Sequence, residues 1–244
     1  MFDPYLTSDL IYAALAVFTA GMVRGFSGFG SAMVMAPVLA ALYGPTVAVP
    51  IALILDLLLA APMLRDAVRH IEPRRIGVLT VAALVGIPGG TFLLLHLEAQ
   101  TLRIAMSVAV LSAVLLLATG WRHKGAPHLA GTIATGLASG ALNGAIGMGG
   151  PPVIFYFLSG ADAAARIRAS LNVYFALLDI GSLIVLAAAG QIGGPELIRS
   201  ALLLAPLLLG LWAGSQMFHR GGHRFYRPVA NVILAGVALG SLVF

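Results

Sequence analysis

Long apolar runs alternate along this chain with short polar or basic stretches, and few charged positions interrupt the runs. Breaks at charged or turn-rich positions delimit eight apolar segments, at about 9–44, 47–64, 76–96, 102–120, 129–160, 169–189, 197–219 and 225–243. Six of them approach the length of about 20 residues that a helix needs to cross a hydrocarbon core of roughly 30 Å. The pattern predicts an all-α polytopic membrane protein.

The segments 9–44 and 129–160 are too long for a single crossing, and each has a glycine-rich run near its centre. Irregular backbone at membrane depth is tolerated where protein encloses it or where it lines a cavity. We therefore expect each segment to form a helical hairpin bent at the glycines. The spacing leaves open whether the hairpins are re-entrant or cross the membrane fully.

The two glycine runs repeat one spacing. Gly21, Gly25, Gly28 and Gly30 match Gly140, Gly144, Gly147 and Gly149, and Asp56 matches Asp179 in the segment that follows. Such internal duplication is a sequence signature of transporters with a site between two repeats. We expect residues 1–120 to form a first transmembrane repeat, 121–128 a cytoplasmic linker and 129–244 a second repeat. Each repeat is a glycine-bent helical hairpin followed by three transmembrane helices.

Composition and charge narrow the class further. Hydrophobic residues make up 60% of the chain and charged residues 9%, which excludes a soluble domain. The hairpin arrangement collects most basic side chains on one face, namely Arg65, Arg69, Arg74, Arg75, Arg122, Lys124, Arg166, Arg168, Arg220 and Arg224. The positive-inside rule places that face in the cytoplasm, so the two repeats are predicted to be inverted. The basic excess thus indicates a multi-pass protein of the cell inner membrane and no nucleic-acid partner.

Arg24 is the most informative polar residue, because a guanidinium near the middle of a bilayer must face a cavity or a partner. Its planar fork suits an oxyanion, and the helix starts that follow the glycine runs attract anions through free N–H groups. The alternatives are an ion pair with Asp56 and a side chain that reaches an interface. The candidate substrate-binding residues are Arg24, Gly25, Ser27, Gly28, Gly30 and Ser31 in the first copy, and Asn143, Gly144, Gly147, Gly149 and Gly150 in the second.

Asp56 and Asp179 are symmetric carboxylates within spanning segments, and Asn172 lies seven residues before Asp179 on the same helix face. A carboxylate buried in a membrane is a candidate proton carrier, so these three are the candidate coupling residues. The aspartates are also candidates to ligate a cation, to balance Arg24 or to cap the hairpin backbones.

No motif of a nucleophile elbow, a phosphate-binding loop or a dinucleotide site occurs, and no His/Asp/Glu spacing resembles a metal site. The chain has no cysteine. We therefore expect neither an enzyme nor a bound cofactor or metal.

The run Arg24-Gly-Phe-Ser-Gly-Phe-Gly-Ser with Pro37, repeated as Asn143-Gly-Ala-Ile-Gly-Met-Gly-Gly-Pro-Pro, resembles the TauE/SafE family of sulfite exporters. The resemblance spans essentially the whole chain and implies export of a small anion, sulfite or an organosulfonate such as sulfoacetate. The chain departs from the commonest family pattern at Ser31-Ala32, where a further small-residue or glycine pair is usual.

The resulting hypothesis is export by alternating access between the repeats, with inward proton flow through Asp56 or Asp179 driving it. A passive anion channel and a cation-coupled transporter centred on the two aspartates remain open. A partner subunit without transport is a further alternative, and the sequence is also compatible with a homo-oligomer.

Overall fold

The computed structural model describes residues 8–119, 128–158 and 164–221, which contain helices and short connections and no strand. The helices are α1 (Ser8–Ser27), α2 (Ser31–Tyr43), α3 (Pro45–Ala67), α4 (Pro73–His96), α5 (Ala99–Thr119), α6 (Leu129–Ile146), α7 (Gly150–Leu158), α8 (Ala164–Ala188) and α9 (Gly194–Gly221). One short 3₁₀ turn, Val68–His70, follows α3. The predicted all-α fold is confirmed. The eighth predicted segment, 225–243, and nearly all of the predicted linker lie outside the described residues.

Both long apolar segments break at their glycine runs, as predicted. The first consists of α1 and α2, and the second of α6 and α7. The breaks share a geometry: Gly28 and Gly147 have φ of 85° and 69°, a left-handed conformation that favours glycine. The N–H of Gly28 bonds to the carbonyl of Arg24 at 2.7 Å, and that of Gly147 bonds to the carbonyl of Asn143 at 2.9 Å. The duplicated sequence therefore ends two helices in the same way.

The helices have the dimensions and surface of a membrane protein. Among the described residues, 6 helices are long and apolar enough to cross a membrane: α1, α3, α4, α6, α8 and α9. Large apolar side chains such as Ile11, Val85 and Trp212 are exposed on the outside of the bundle. In water such a surface would be costly, whereas lipid tails accommodate it. The chain is a multi-pass membrane protein.

The first arm of each hairpin packs on the helix that follows the aspartate-bearing helix of the other half. Helix α1 lies against α9, and α6 lies against α4. Glycines make this approach close: a Cβ at Gly25 would collide with the Leu211 carbonyl on α9, and one at Gly90 would collide with the Ala141 carbonyl on α6. Small residues allow helix backbones to touch in this way within membranes. The two halves are thereby interlocked.

The second arm of each hairpin, α2 or α7, is the short arm. Contacts at the short arms also cross between the two halves. Arg75, at the start of α4, lies over the ring of Tyr156 on α7, with its Cζ 4.5 Å from the ring centre. Its Nε donates a hydrogen bond to the Tyr156 hydroxyl at 3.0 Å. Near the start of α9, the Cζ of Arg199 lies 4.9 Å from the ring centre of Tyr43, the last residue of α2. Each half therefore contributes an arginine to the other half's short arm.

Helices α3 and α8 occupy the middle of the molecule, where they pack against each other and carry Asp56 and Asp179. Helix α2 packs on α3, and α7 packs on α8. This reciprocal arrangement supports the interpretation as two related repeats. Their limits, and their inverted orientation across a membrane, remain predictions.

Candidate functional site

A small cavity lies where the tips of the two hairpins meet α3 and α8. It offers about 20 Å³ to the centre of a water-sized molecule, roughly enough for one water. Its lining joins the two glycine breaks to the buried polar side chains: Arg24, Gly30, Asp56, Asn143, Gly147, Gly149, Gly150 and Asp179. Ala32, Met33, Met148, Ile154 and Phe175 complete the wall. Eight residues predicted from the sequence are thus brought to one place.

Arg24 is buried at the cavity and paired. Its Nη1 donates to the two oxygens of Asp56 at 3.1 and 3.0 Å, and its Nη2 donates to Oδ1 of Asn172 at 3.3 Å. Ser31 accepts from the same Nη1 at 3.3 Å and donates its hydroxyl to Asp56. Arg24 is 1% exposed and Asp56 5% exposed, so neither reaches an interface. The structure thus contains the Arg24–Asp56 ion pair, which was one of the alternatives predicted for Arg24.

The second half repeats this pairing with a neutral amide. Asn143, which occupies the position equivalent to Arg24, donates to Oδ1 of Asp179 at 3.3 Å and to Oγ of Ser182 at 3.0 Å. Its Oδ1 accepts from the backbone N–H of Gly149 at 3.0 Å, which ties α6 to the tip of its own hairpin. In both halves the hairpin residue therefore bonds to the carboxyl group of the following central helix.

Asp179 differs from Asp56 in its partners. It is 3% exposed, and its Oδ2 receives no hydrogen bond from the described residues. Asp56 and Asp179 line the same small cavity. Tyr174, one turn earlier on α8, is fully buried, and its hydroxyl also lacks a partner within the described part of the chain. One side of the cavity thus holds two carboxyl groups and a single guanidinium.

The starts of α2 and α7 also face the cavity. Gly30 precedes α2 with φ of 91°, and no side chain caps that helix. Helix α7 starts at Gly150, directly after Gly149 in the cavity wall. The first N–H groups of a helix have no partner within it and carry a partial positive charge. The cavity therefore combines a guanidinium with two positive helix ends.

Three of the predicted binding residues have other surroundings. Gly25 and Gly144 are closely packed against α9 and α4, where a Cβ would collide with the neighbouring backbone. Gly28 lies against the side chain of Arg168. These three do not line the cavity, so Gly25 and Gly144 act through helix packing. Ser27 ends α1, and its side chain lies outside the described part of the structure.

Two buried serines that the sequence reading did not single out support the site. Ser139 donates to the Gly149 carbonyl at 2.6 Å, and Ser182 accepts from Asn143. Ser139 lies four residues before Asn143, and Ser182 lies three residues after Asp179. Each serine therefore lies on the same helix face as a predicted site residue. This spacing is the sequence signal that could have identified the two serines.

A polytopic helical bundle that encloses a charged cavity between two broken helical hairpins belongs to the membrane transporters. The chain matches the family model of the sulfite exporter TauE/SafE over residues 13–241, and it belongs to that family. Comparison with curated proteins and with solved structures gives no significant match.

Proposed function

We propose that this protein exports a small oxyanion, sulfite or an organosulfonate, across the cell inner membrane by alternating access. The anion binds in the cavity between the hairpin tips. Arg24 provides the charge, and the N–H groups at the start of α2 complete the coordination together with the N–H of Gly150. Pro151 and Pro152, the next two residues of α7, have no N–H to donate. Membership of a sulfite exporter family supports the substrate class.

The observation that carries this proposal is the convergence of Arg24 and two helix starts on one buried cavity. A guanidinium binds an oxyanion through parallel hydrogen bonds, and helix N-termini add donors without a counter-charge of their own. Asn143 adds a donor on the side of the second hairpin when it releases Asp179 or Ser182, to which its amide now donates.

The cavity in this structure is smaller than the proposed substrate. Its roughly 20 Å³, between the tips of the two hairpins, holds about one water. A larger anion needs the hairpin tips to separate and Arg24 to exchange Asp56 for the ligand. Alternating access through the interlocked halves supplies such a separation.

A cation site on the two aspartates is less well supported by this geometry. Arg24 already donates to both oxygens of Asp56. A metal or sodium ion at Asp56 would have to displace the guanidinium and then share the cavity with it. Protonation of the aspartates creates no such repulsion, and we retain them as the coupling residues of the proposed transporter.

Replacing Arg24 by Ala tests the site directly. Sulfite binding to the detergent-purified protein should be lost, because no other cation lines the cavity among the described residues. Arg74→Ala removes an exposed arginine at the start of α4 and is the matched control that should bind like the wild type. Unchanged affinity in Arg24→Ala would refute the assignment.

Transport separates an exporter from a passive channel. In proteoliposomes a coupled exporter should move sulfite against its own gradient when a proton gradient is imposed, whereas a channel only dissipates gradients. Equilibration without accumulation under every imposed gradient would favour the channel.

A further inference from the structure

The two carboxyl groups of the cavity have unequal surroundings, and the difference bears on proton coupling at the proposed anion site. Asp56 has a guanidinium and a hydroxyl as donors. Asp179 has one amide donor, at 3.3 Å, and no cation bonded to it. An ionised carboxylate is costly in a buried site unless a cation or several donors compensate it. Asp56 is therefore the ionised member of the pair.

The shared cavity favours a proton on one of the two carboxyl groups. Oδ2 of Asp179 has no donor from the described residues, and Asp56 lines the same small cavity. Two facing carboxylates repel unless one of them is protonated. A proton on Asp179 removes this repulsion. Arg24, ionised Asp56 and neutral Asp179 then give the cavity no net charge.

Arg24 is the group for which the anion and Asp56 compete. Of the charged and titratable groups near Asp56, α1 contributes Arg24, while α8 contributes Asp179 with Tyr174 beside it. Helix α2 offers the Ser31 hydroxyl. No other charged side chain lines the cavity within the described residues. An arriving anion that takes Arg24 leaves the buried Asp56 without a cation.

On the basis of the proposed function, we infer that anion binding at Arg24 is accompanied by uptake of one proton at Asp56. The exchange balances: the Arg24–Asp56 ion pair, one anion and one proton become an Arg24–anion pair and a neutral Asp56 carboxyl group. Asp179 keeps its proton throughout. Proton and anion then travel in the same direction, so the exported unit carries one negative charge fewer than the anion alone. Inward proton flow through these aspartates does not drive outward anion flow under this scheme.

Calorimetry of sulfite binding in two buffers with different ionisation enthalpies measures the protons taken up. Wild type and Asp179→Asn should take up about one proton more per sulfite than Asp56→Asn. Protons exchanged by sulfite itself contribute equally to all three measurements, so they drop out of the comparison. Asp56→Asn should also bind sulfite at least several-fold more tightly than wild type at pH 8, because the competitor for Arg24 is neutral. Asp56→Glu keeps a titratable competitor and should retain the wild-type proton uptake.

The inference is overturned if Asp56→Asn takes up as many protons as wild type, or binds more weakly than wild type while melting normally. If Asp56→Asn does not fold, proton uptake by Asp56→Glu and Asp179→Asn still tests the inference. Loss of proton uptake in Asp179→Asn alone would show that Asp179, and not Asp56, takes up the proton. Failure of wild type to bind sulfite, or normal binding by Arg24→Ala, would instead refute the proposed function.

Discussion

At the scale of single residues, the two halves differ most in what they place beside equivalent aspartates. Arg24 beside Asp56 makes an ion pair, and Asn143 beside Asp179 makes a neutral pair. A symmetric scaffold thus contains an asymmetric site, with one charged and one uncharged half. Burying one ion pair is already costly, and a second would add a comparable cost.

The sequence could indicate that Arg24 faces the cavity, since a charge at membrane depth needs a reason. It could not rank Asp56, an anion or an interface as its partner. The contact with Asn172 was beyond reach, because it joins residues 148 positions apart and no local spacing encodes it. The long Arg24 side chain extends from α1 to Asn172 on α8, and only the tertiary structure brings the two together.

Asn172→Asp should weaken sulfite binding, because a second carboxylate would then compete for Arg24 from the position of Oδ1, 3.3 Å from Nη2. Sulfite would have to break one additional charge-assisted hydrogen bond of Arg24. Breaking it costs about 1.4 kcal/mol or more, which raises the Kd about tenfold. Sulfite titration at pH 8 measures it. Asn172→Ala, which removes the acceptor without adding charge, is the control and should stay within a few-fold of wild type. Equal affinity of Asn172→Asp and wild type would contradict this account of Arg24.

At the scale of helices, the hairpin bends were predictable and the helix partners were not. The glycine runs marked the breaks, because no regular helix tolerates that many left-handed positions. The glycine pairs Gly21/Gly25, Gly86/Gly90, Gly140/Gly144 and Gly210/Gly214 have the same spacing and chemistry. Any two of these faces are suited to close packing, so the sequence cannot tell which will meet. The structure pairs each hairpin glycine face with a face of the opposite half.

Gly90→Ala should destabilise the α4–α6 contact, since its Cβ would collide with the Ala141 backbone, which cannot move without shifting a helix. Overpacking of this kind costs about 1–3 kcal/mol. Thermal unfolding in detergent, followed by loss of helical circular dichroism, measures the change in Tm. Gly89→Ala is the matched control, because a Cβ there meets nothing within 4 Å. It should leave Tm unchanged or raise it slightly. The same decrease in both variants would show that the α4–α6 approach is not the cause.

At the scale of the whole molecule, the crossed packing makes each half depend on the other for its short arm. Arg75 holds the ring of Tyr156 on α7, and Arg199 holds that of Tyr43 on α2. Opening the cavity by separating a hairpin tip therefore disturbs contacts made by both halves. A structure built in this way favours movement of a hairpin and its crossed partner helix as one unit.

The orientation of the two halves is open to a direct test, because the chain has no cysteine and single cysteines can be introduced without background. Arg69 and Gln191 lie in the connections between the second and third long helices of the first and second halves. If the repeats are inverted, these equivalent connections lie on opposite faces, with Arg69 in the cytoplasm by the positive-inside rule.

A membrane-impermeant maleimide should label Gln191→Cys in intact spheroplasts and Arg69→Cys only in inverted vesicles. Glu98→Cys, exposed in the connection from α4 to α5, should label with Gln191→Cys and calibrates the outer face. Labelling of Arg69→Cys and Gln191→Cys from the same side would show two parallel halves. The two hairpins would then share one orientation, and their tips would no longer approach the cavity from opposite faces of the membrane.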